Sequence, residues 1–265
     1  MKNQERIIAI ANQKGGVGKT TTAINLATAL AAVGEKVLVV DIDPQGNAST
    51  GFGIDRNNRR LSSYDVLIKG TSITESALQT NIPNLFIVPS TLDLLGVEME
   101  IAAHSDRSYR LKNALYQNIK IISRFTYILI DCPPSFNLLT LNAMGAANSV
   151  LVPLQCEFFA LEGLSQLLDT IRRVRKSFNS QLSIQGIILT MYDRRNNLAN
   201  QVVEDVRSFM GEKVYRTVIP RNVRLSEAPS FGKPALLYDL NCAGSQAYLQ
   251  LASEVIQREK RLHLA

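Results

Sequence analysis

The chain has 265 residues, with 29 lysines and arginines against 23 aspartates and glutamates, a formal net charge of +6. At 46% hydrophobic and 20% charged it is not a disordered chain, and at roughly 100–200 residues per domain it has room for one large α/β domain or two small ones. Three cysteines without framework spacing argue against a disulfide scaffold and for a reducing compartment. The N-terminus runs into a short apolar stretch that stops at Asn12-Gln13 with no small-residue cleavage site, so no signal peptide is expected and the chain reads as cytoplasmic.

The elements alternate. Arg6–Ala11 is a short apolar run ahead of a glycine loop, and Thr20–Val33 has helical apolar spacing that stops at Gly34. Lys36–Val40 is a β-branched strand running into Asp41-Ile42-Asp43-Pro44. Further strand-like runs fall at Leu85–Val88, Tyr127–Ile130, Val150–Val152 and Ile184–Leu189, and helical patterns at Thr91–Ala103, Tyr109–Ile121 and Leu161–Phe178. Strands alternating with helices predict crossover units: a single α/β domain over 1–265, with a mostly parallel, twisted sheet and helices on both faces. Cys132–Cys156 holds 25 residues without a charge, long enough to span a bilayer. Pro133, Pro134 and Pro153 interrupt it, however, and Asn137, Asn142 and Asn148 would need buried partners, so a helix and strand of a protein core are expected there.

Between the first strand and the first helix stands Asn12-Gln13-Lys14-Gly15-Gly16-Val17-Gly18-Lys19-Thr20-Thr21. Glycines let successive N–H groups face one centre, and the helix N-terminus adds positive potential. Lys19 is expected to reach β- and γ-phosphates and the Thr20 hydroxyl to bind Mg²⁺, with Lys14, Gly15, Gly16, Val17, Gly18 and Thr21 completing the nucleotide loop. Asp131, closing the strand Tyr127–Ile130, occupies the place of a magnesium-holding aspartate. Asp41 and Asp43 follow the second strand, also at a carboxyl end, where ligand sites of α/β sheets form.

The loop departs from the general pattern: Gln13 stands where the first glycine is usual, and Lys14 precedes the glycine pair. Lys-Gly-Gly-x-Gly-Lys-Thr resembles the deviant Walker A motif of the ParA/MinD ATPases. Val40–Ser49, Leu129–Ser135, Ile188–Asp193 and Val218–Pro229 are similar to ParA-type partition ATPases too, so the resemblance runs from residue 7 to about 240. It implies a P-loop ATPase that uses ATP and Mg²⁺, with Lys14, Lys19 and Asp43 as catalytic residues. Lys14 would reach the partner subunit's nucleotide in an ATP-dependent homodimer, Asp43 would position the attacking water, and Asp41 would support the metal side. Pro220 and Asn222, and more weakly Met191, would contact the base. It further implies nonspecific binding of double-stranded DNA, nucleoid association, and hydrolysis stimulated by a ParB-type centromere-binding protein. With the first strand starting near Arg6, no N-terminal helix-turn-helix domain is expected.

The positive charge is unevenly spread. Arg172 to Lys233 contains 12 Lys and Arg and 5 Asp and Glu, a net of +7, so the remainder nets −1. Such asymmetry suits a polyanion, although a solvated helix face at Arg172, Arg173, Arg175 and Lys176 is the plainer reading of part of it. With the resemblance, Arg195 and Arg224 become the first DNA-binding candidates, supported by Arg194, Arg221 and Lys233; for Arg221 a role beside the nucleotide stays open. Two alternatives remain at this level. One is a MinD-like membrane-associated ATPase, disfavoured because Arg258-Glu259-Lys260-Arg261 interrupts the apolar residues of the tail. The other is a nucleotide-switched regulator with negligible turnover.

Overall fold

The computed structural model describes residues 6–117 and 123–264. Eight strands form one sheet: β1 (Arg6–Ile10), β2 (Val37–Asp41), β3 (Leu78–Gln79), β4 (Leu85–Val88), β5 (Tyr127–Asp131), β6 (Ser149–Gln155), β7 (Ser183–Tyr192) and β8 (Val214–Pro220). Their order is β3-β4-β2-β5-β1-β6-β7-β8, parallel throughout except for β3 against β4. The main helices are α1 (Lys19–Ala32), α2 (Arg110–Tyr116), α3 (Leu138–Ala146), α4 (Ala160–Ser177), α5 (Asn197–Met210) and α6 (Ala243–Leu264).

The central strands are apolar on both faces because both faces are covered. Alternation along β1 sends Ile7 and Ala9 into one core with residues of α2, α3, α4 and α5, and Ile8 and Ile10 into the other with α1 and α6. Most of the uncharged stretch 132–156 is thus core, α3 and β6 above all, while Pro134, Ser135 and Phe136 of the loop after β5 are exposed. Its asparagines have partners, with Asn148 accepting from the Ile7 amide (2.8 Å) and Asn142 donating to the Arg107 and Leu138 carbonyls.

Two readings of the sequence need correction. The helical spacing over Thr91–Ala103 becomes a 3₁₀ turn (Leu92–Gly96) and a single α-turn (Val97–Glu100). Gly96 lies within it and weakens a continuous helix, and only Leu94, Val97 and Ile101 of its large apolar residues are buried. The strand β8 escapes an apolar-run search because Arg216 and Thr217 break its apolar sequence. The pattern over Tyr109–Ile121 is helical as Arg110–Tyr116, and its end at 118–121 lies outside the described residues.

Strand β8 closes one side of the sheet and is tied down by α6. Glu254 accepts from the Arg216 amide (2.9 Å), the Thr217 amide (3.0 Å) and the Thr217 hydroxyl (3.0 Å), and pairs with Arg258. Burial alone would raise the Glu254 carboxyl; these hydrogen bonds outweigh it and hold the pKa below its ordinary value. A depressed carboxyl pKa contributes stability above the unfolded-state value and loses it as the pH falls through the folded value. Glu254→Gln should therefore cost about 2 kcal/mol in urea unfolding at neutral pH, a deficit that shrinks as the pH is lowered through the carboxylate range.

Candidate nucleotide site

Three loops meet at the carboxyl edge of the central strands: the glycine loop after β1, the Asp41–Pro44 loop after β2 and the Asp131 loop after β5. Strand register brings them together, since Ile10 and Asp41 both pair with Asp131. The switch in strand order falls here as well, with β2 and β4 laid to one side of β1 and β6, β7 and β8 to the other.

The glycine loop is held from several sides. Asn12 donates to the Pro153 carbonyl (2.8 Å) and accepts from the Lys14 amide (3.0 Å), Gln13 donates to Thr170 on α4 (2.9 Å), and Thr190 on β7 donates to the Val17 carbonyl (2.9 Å). Gly16 (φ 76°) and Gly18 (φ 89°) supply the left-handed turns that side chains resist. Gly18 is also the N-cap of α1 and offers no capping side chain, so the first amides of a 14-residue helix stay open toward an anion. Lys19 is buried, donates to the Lys14 carbonyl (2.9 Å), and has its pKa lowered by burial against the opposing pull of Asp131 and Asp43. Lys14 behaves differently. Its side chain remains 48% exposed and is ion-paired with Glu157 of the same chain.

The three aspartates separate by environment. Asp41 is fully buried with both oxygens engaged: Oδ1 accepts from the Asp43 amide (3.2 Å), Oδ2 from the Ser49 amide (2.9 Å) and hydroxyl (2.7 Å). Asp43 lies two residues beyond it, outside the strand, with Oδ1 held by the Gln45 amide (3.0 Å). Asp131 is fully buried and neither carboxylate oxygen has a well-formed hydrogen bond. Burial and the neighbouring Asp41 raise its pKa strongly; the Thr20 hydroxyl and Lys19 oppose this. An orphaned buried carboxylate beside a threonine hydroxyl is a fit donor set for a hard, oxygen-seeking cation. Magnesium is commonly bound through one or two carboxylates together with a substrate's phosphates rather than by an all-protein cage.

Next to the loop opens a cleft lined by Gly18, Thr21, Thr190, Met191, Ile219, Pro220, Arg221, Asn222, Leu225, Ser226 and Tyr248. It contains all three base-contact candidates. Met191 has φ 51°, a left-handed conformation unusual for a residue other than glycine, asparagine or aspartate. Asn222 caps the short helix Val223–Glu227 by accepting from the Arg224 amide (2.9 Å). The sequence reading missed Asn12, Thr190 and Tyr248. Only Asn12 had a local signal, through its place in the loop.

The basic candidates converge beside this cleft. Tyr192 and Pro220 pair across β7 and β8, so Arg194–Arg195 and Arg221–Arg224 leave adjacent strand ends. All four, and Lys233, are exposed. Arg195 grips Asp193 through Nε (2.9 Å) and a terminal nitrogen (2.7 Å), lowering that carboxyl to about 2. Arg224 pairs with Glu227 (2.8 Å) and Asp239 (3.5 Å).

Glycine loop, buried lysine, orphaned aspartate and base-sized cleft define a P-loop nucleotide-binding protein with an additional lysine ahead of its glycine pair. Comparison with known proteins agrees. A family model described as an AAA domain matches residues 5–184. The chain is 64% identical to the chromosome partitioning protein ParA of Caulobacter vibrioides over 258 residues, covering 97% of this chain and 96% of that one. It is 52% identical to the sporulation initiation inhibitor protein Soj of Bacillus subtilis, covering 94% and 98%. Among solved structures, a cobyrinic acid a,c-diamide synthase from Mycobacterium smegmatis with bound ATP analog and magnesium superposes with a TM-score of 0.85 at 35% identity, covering 97% and 96%. The chain belongs to the ParA/Soj family of chromosome-partitioning ATPases.

Two substitutions test the site. Lys19→Ala should abolish ATP binding in calorimetry, because it removes the buried cation at the phosphates. Asp131→Asn bears on pH: a carboxyl whose folded pKa is raised keeps its proton longer in the folded state, so stability falls as the pH rises from the carboxylate range toward neutrality. The nucleotide-free variant should show a flatter pH dependence of Tm than the parent, and should lose the gain in nucleotide affinity that magnesium gives.

Proposed function

We propose that this chain is an ATP-driven DNA-segregation switch. ATP binding closes two chains face to face, the dimer binds DNA without sequence preference, and hydrolysis, stimulated by a ParB-type centromere-binding protein, releases it on the nucleoid. One observation carries the dimer step: of the two loop lysines, Lys19 is buried in its own site while Lys14 projects to solvent. A second cation aimed outward suits a triphosphate whose charge is desolvated between two chains. In the free chain Lys14 is held by Glu157, a partly exposed ion pair weak enough to exchange.

In this reading Lys19 and the amides of the loop and α1 bind the phosphates, Thr20 and Asp131 would hold magnesium, and the cleft at Met191, Pro220 and Asn222 takes the base. Magnesium, when bound, would supply neutralisation of the phosphate charge. Asp41, beside Asp131 in the sheet and hydrogen-bonded to the Asp43 amide and to Ser49, would support the metal side. Asp43, restrained at one carboxylate oxygen, would orient the attacking water. Weak turnover of the isolated chain, raised by the partner, completes this reading.

Arg195 and Arg224, with Arg194, Arg221 and Lys233, form the DNA surface. Arginine forks suit phosphate oxygens, and such contacts carry no sequence information. Dimerisation would join two such surfaces, so that their contacts act together. A lipid-binding role is poorly supported: Ala247, Tyr248, Leu251, Ala252 and Val255 of α6 are buried in the domain, and no described helix is long and apolar enough to cross a membrane.

DNA binding should appear with ATP but not with ADP or without nucleotide, extend to unrelated sequences, and weaken steeply between two salt concentrations. Lys14→Ala should retain ATP binding and lose the ATP-dependent dimer in light scattering. Asp43→Ala should remain a dimer on DNA, and Arg195→Glu combined with Arg224→Glu should dimerise without binding it. DNA binding equal in all nucleotide states would overturn the switch.

A further inference from the structure

The loop that carries Asp43 is fastened by two residues remote in sequence, Ser90 and Arg59, together with the nearby Ser49. Ser90, just beyond β4, donates from its hydroxyl to the Asp43 carbonyl, and its amide donates to the Ser49 hydroxyl (3.0 Å). Ser49 in turn donates to Asp41, whose other oxygen receives the Asp43 amide. Asp43 is therefore gripped on both sides of its backbone, at N–H by Asp41 and at C=O by Ser90. Arg59 locks the assembly. Arg59 is 8% exposed as a whole residue, and its guanidinium donates to the Ser90 carbonyl (2.9 Å), the Thr50 hydroxyl (2.8 Å) and the Ile54 carbonyl (3.0 Å). Gly46 (φ 62°) makes room for it, since a Cβ there would come within 2.3 Å of a guanidinium nitrogen.

A buried arginine with backbone and hydroxyl acceptors is an expensive way merely to fill space, because each donor must be satisfied and the charge desolvated. What the arrangement provides is a fixed direction for the Asp43 backbone, and with it the carboxylate. Ser90 and Arg59 are far from the phosphate loop in sequence, and none of the hydrogen bonds that hold residues 12–19 comes from either of them.

We infer that Ser90 and Arg59 are positioning residues for ATP hydrolysis, acting through the Asp43 loop to set the place of the attacking water rather than to bind nucleotide. This rests on the reading of Asp43 given above. A group held in place by its supports loses rate when they loosen, even where substrate affinity is unchanged.

The test is single-turnover ATP hydrolysis by the purified full chain, with ATP affinity and Tm measured alongside. Ser90→Ala removes one small hydroxyl and leaves the fold intact; Arg59→Lys is the second variant. Both should lower the rate constant tenfold or more with ATP Kd within twofold of the parent. An unchanged rate in Ser90→Ala, with Asp43→Ala inactive, overturns the inference and leaves the role of Asp43 standing. A matching loss of ATP affinity in Ser90→Ala overturns it as well, because a residue that acts only through Asp43 leaves binding alone. Turnover that survives in Asp43→Ala overturns the reading of Asp43 itself, and the inference with it.

Discussion

Charge buried at the carboxyl edge of the sheet is the constraint around which this molecule is arranged. Lys19 and Asp131 are both withdrawn from water, and Asp131 has no well-formed hydrogen bond. Such groups are costly to bury singly. Here they stand opposite one another at the end of the central strands, where the open amides of α1 add positive potential. In the function proposed above, a phosphate chain with its cation would partner both groups.

The same constraint explains the scaffold. A charge can be held at a strand end only if the strand cannot shift, and β1 and β5 sit at the middle of an eight-stranded sheet with both faces covered. Neighbouring side chains then hold the loops individually: Asn12 and Thr190 hold the glycine loop, while Asp41, Ser49, Ser90 and Arg59 hold the loop of Asp43. The glycine loop and the Asp43 segment thus rest on separate supports.

The outer features are of another kind. Lys14, Arg195 and Arg224 are exposed and engaged in ion pairs within the chain. Exposed pairs of this sort are readily exchanged, which fits residues meant to meet something outside their own subunit. Buried charge builds the site, and in the proposed function exposed charge would face the partners.

Local chemistry in the sequence was enough for the alternation of strands and helices, the glycine loop with Lys14 and Lys19, and the aspartates at strand ends. Each rests on spacing within a few residues: apolar period, glycine where the backbone turns left-handed, a carboxylate directly after a β-branched run. The resemblance carried by those motifs extended the reading to the cleft residues Met191, Pro220 and Asn222. Tertiary structure alone decided which strands are neighbours, and hence that Asp41 lies beside Asp131 and that Arg194–Arg195 lie beside Arg221–Arg224. It alone separated the three aspartates into one orphaned, one fully hydrogen-bonded and one half-held, and recruited Ser90 and Arg59 to the Asp43 loop. A serine's or arginine's type says nothing about its partner when that partner is tens of residues away, because strand register and helix packing choose the contact, and neither leaves a local trace.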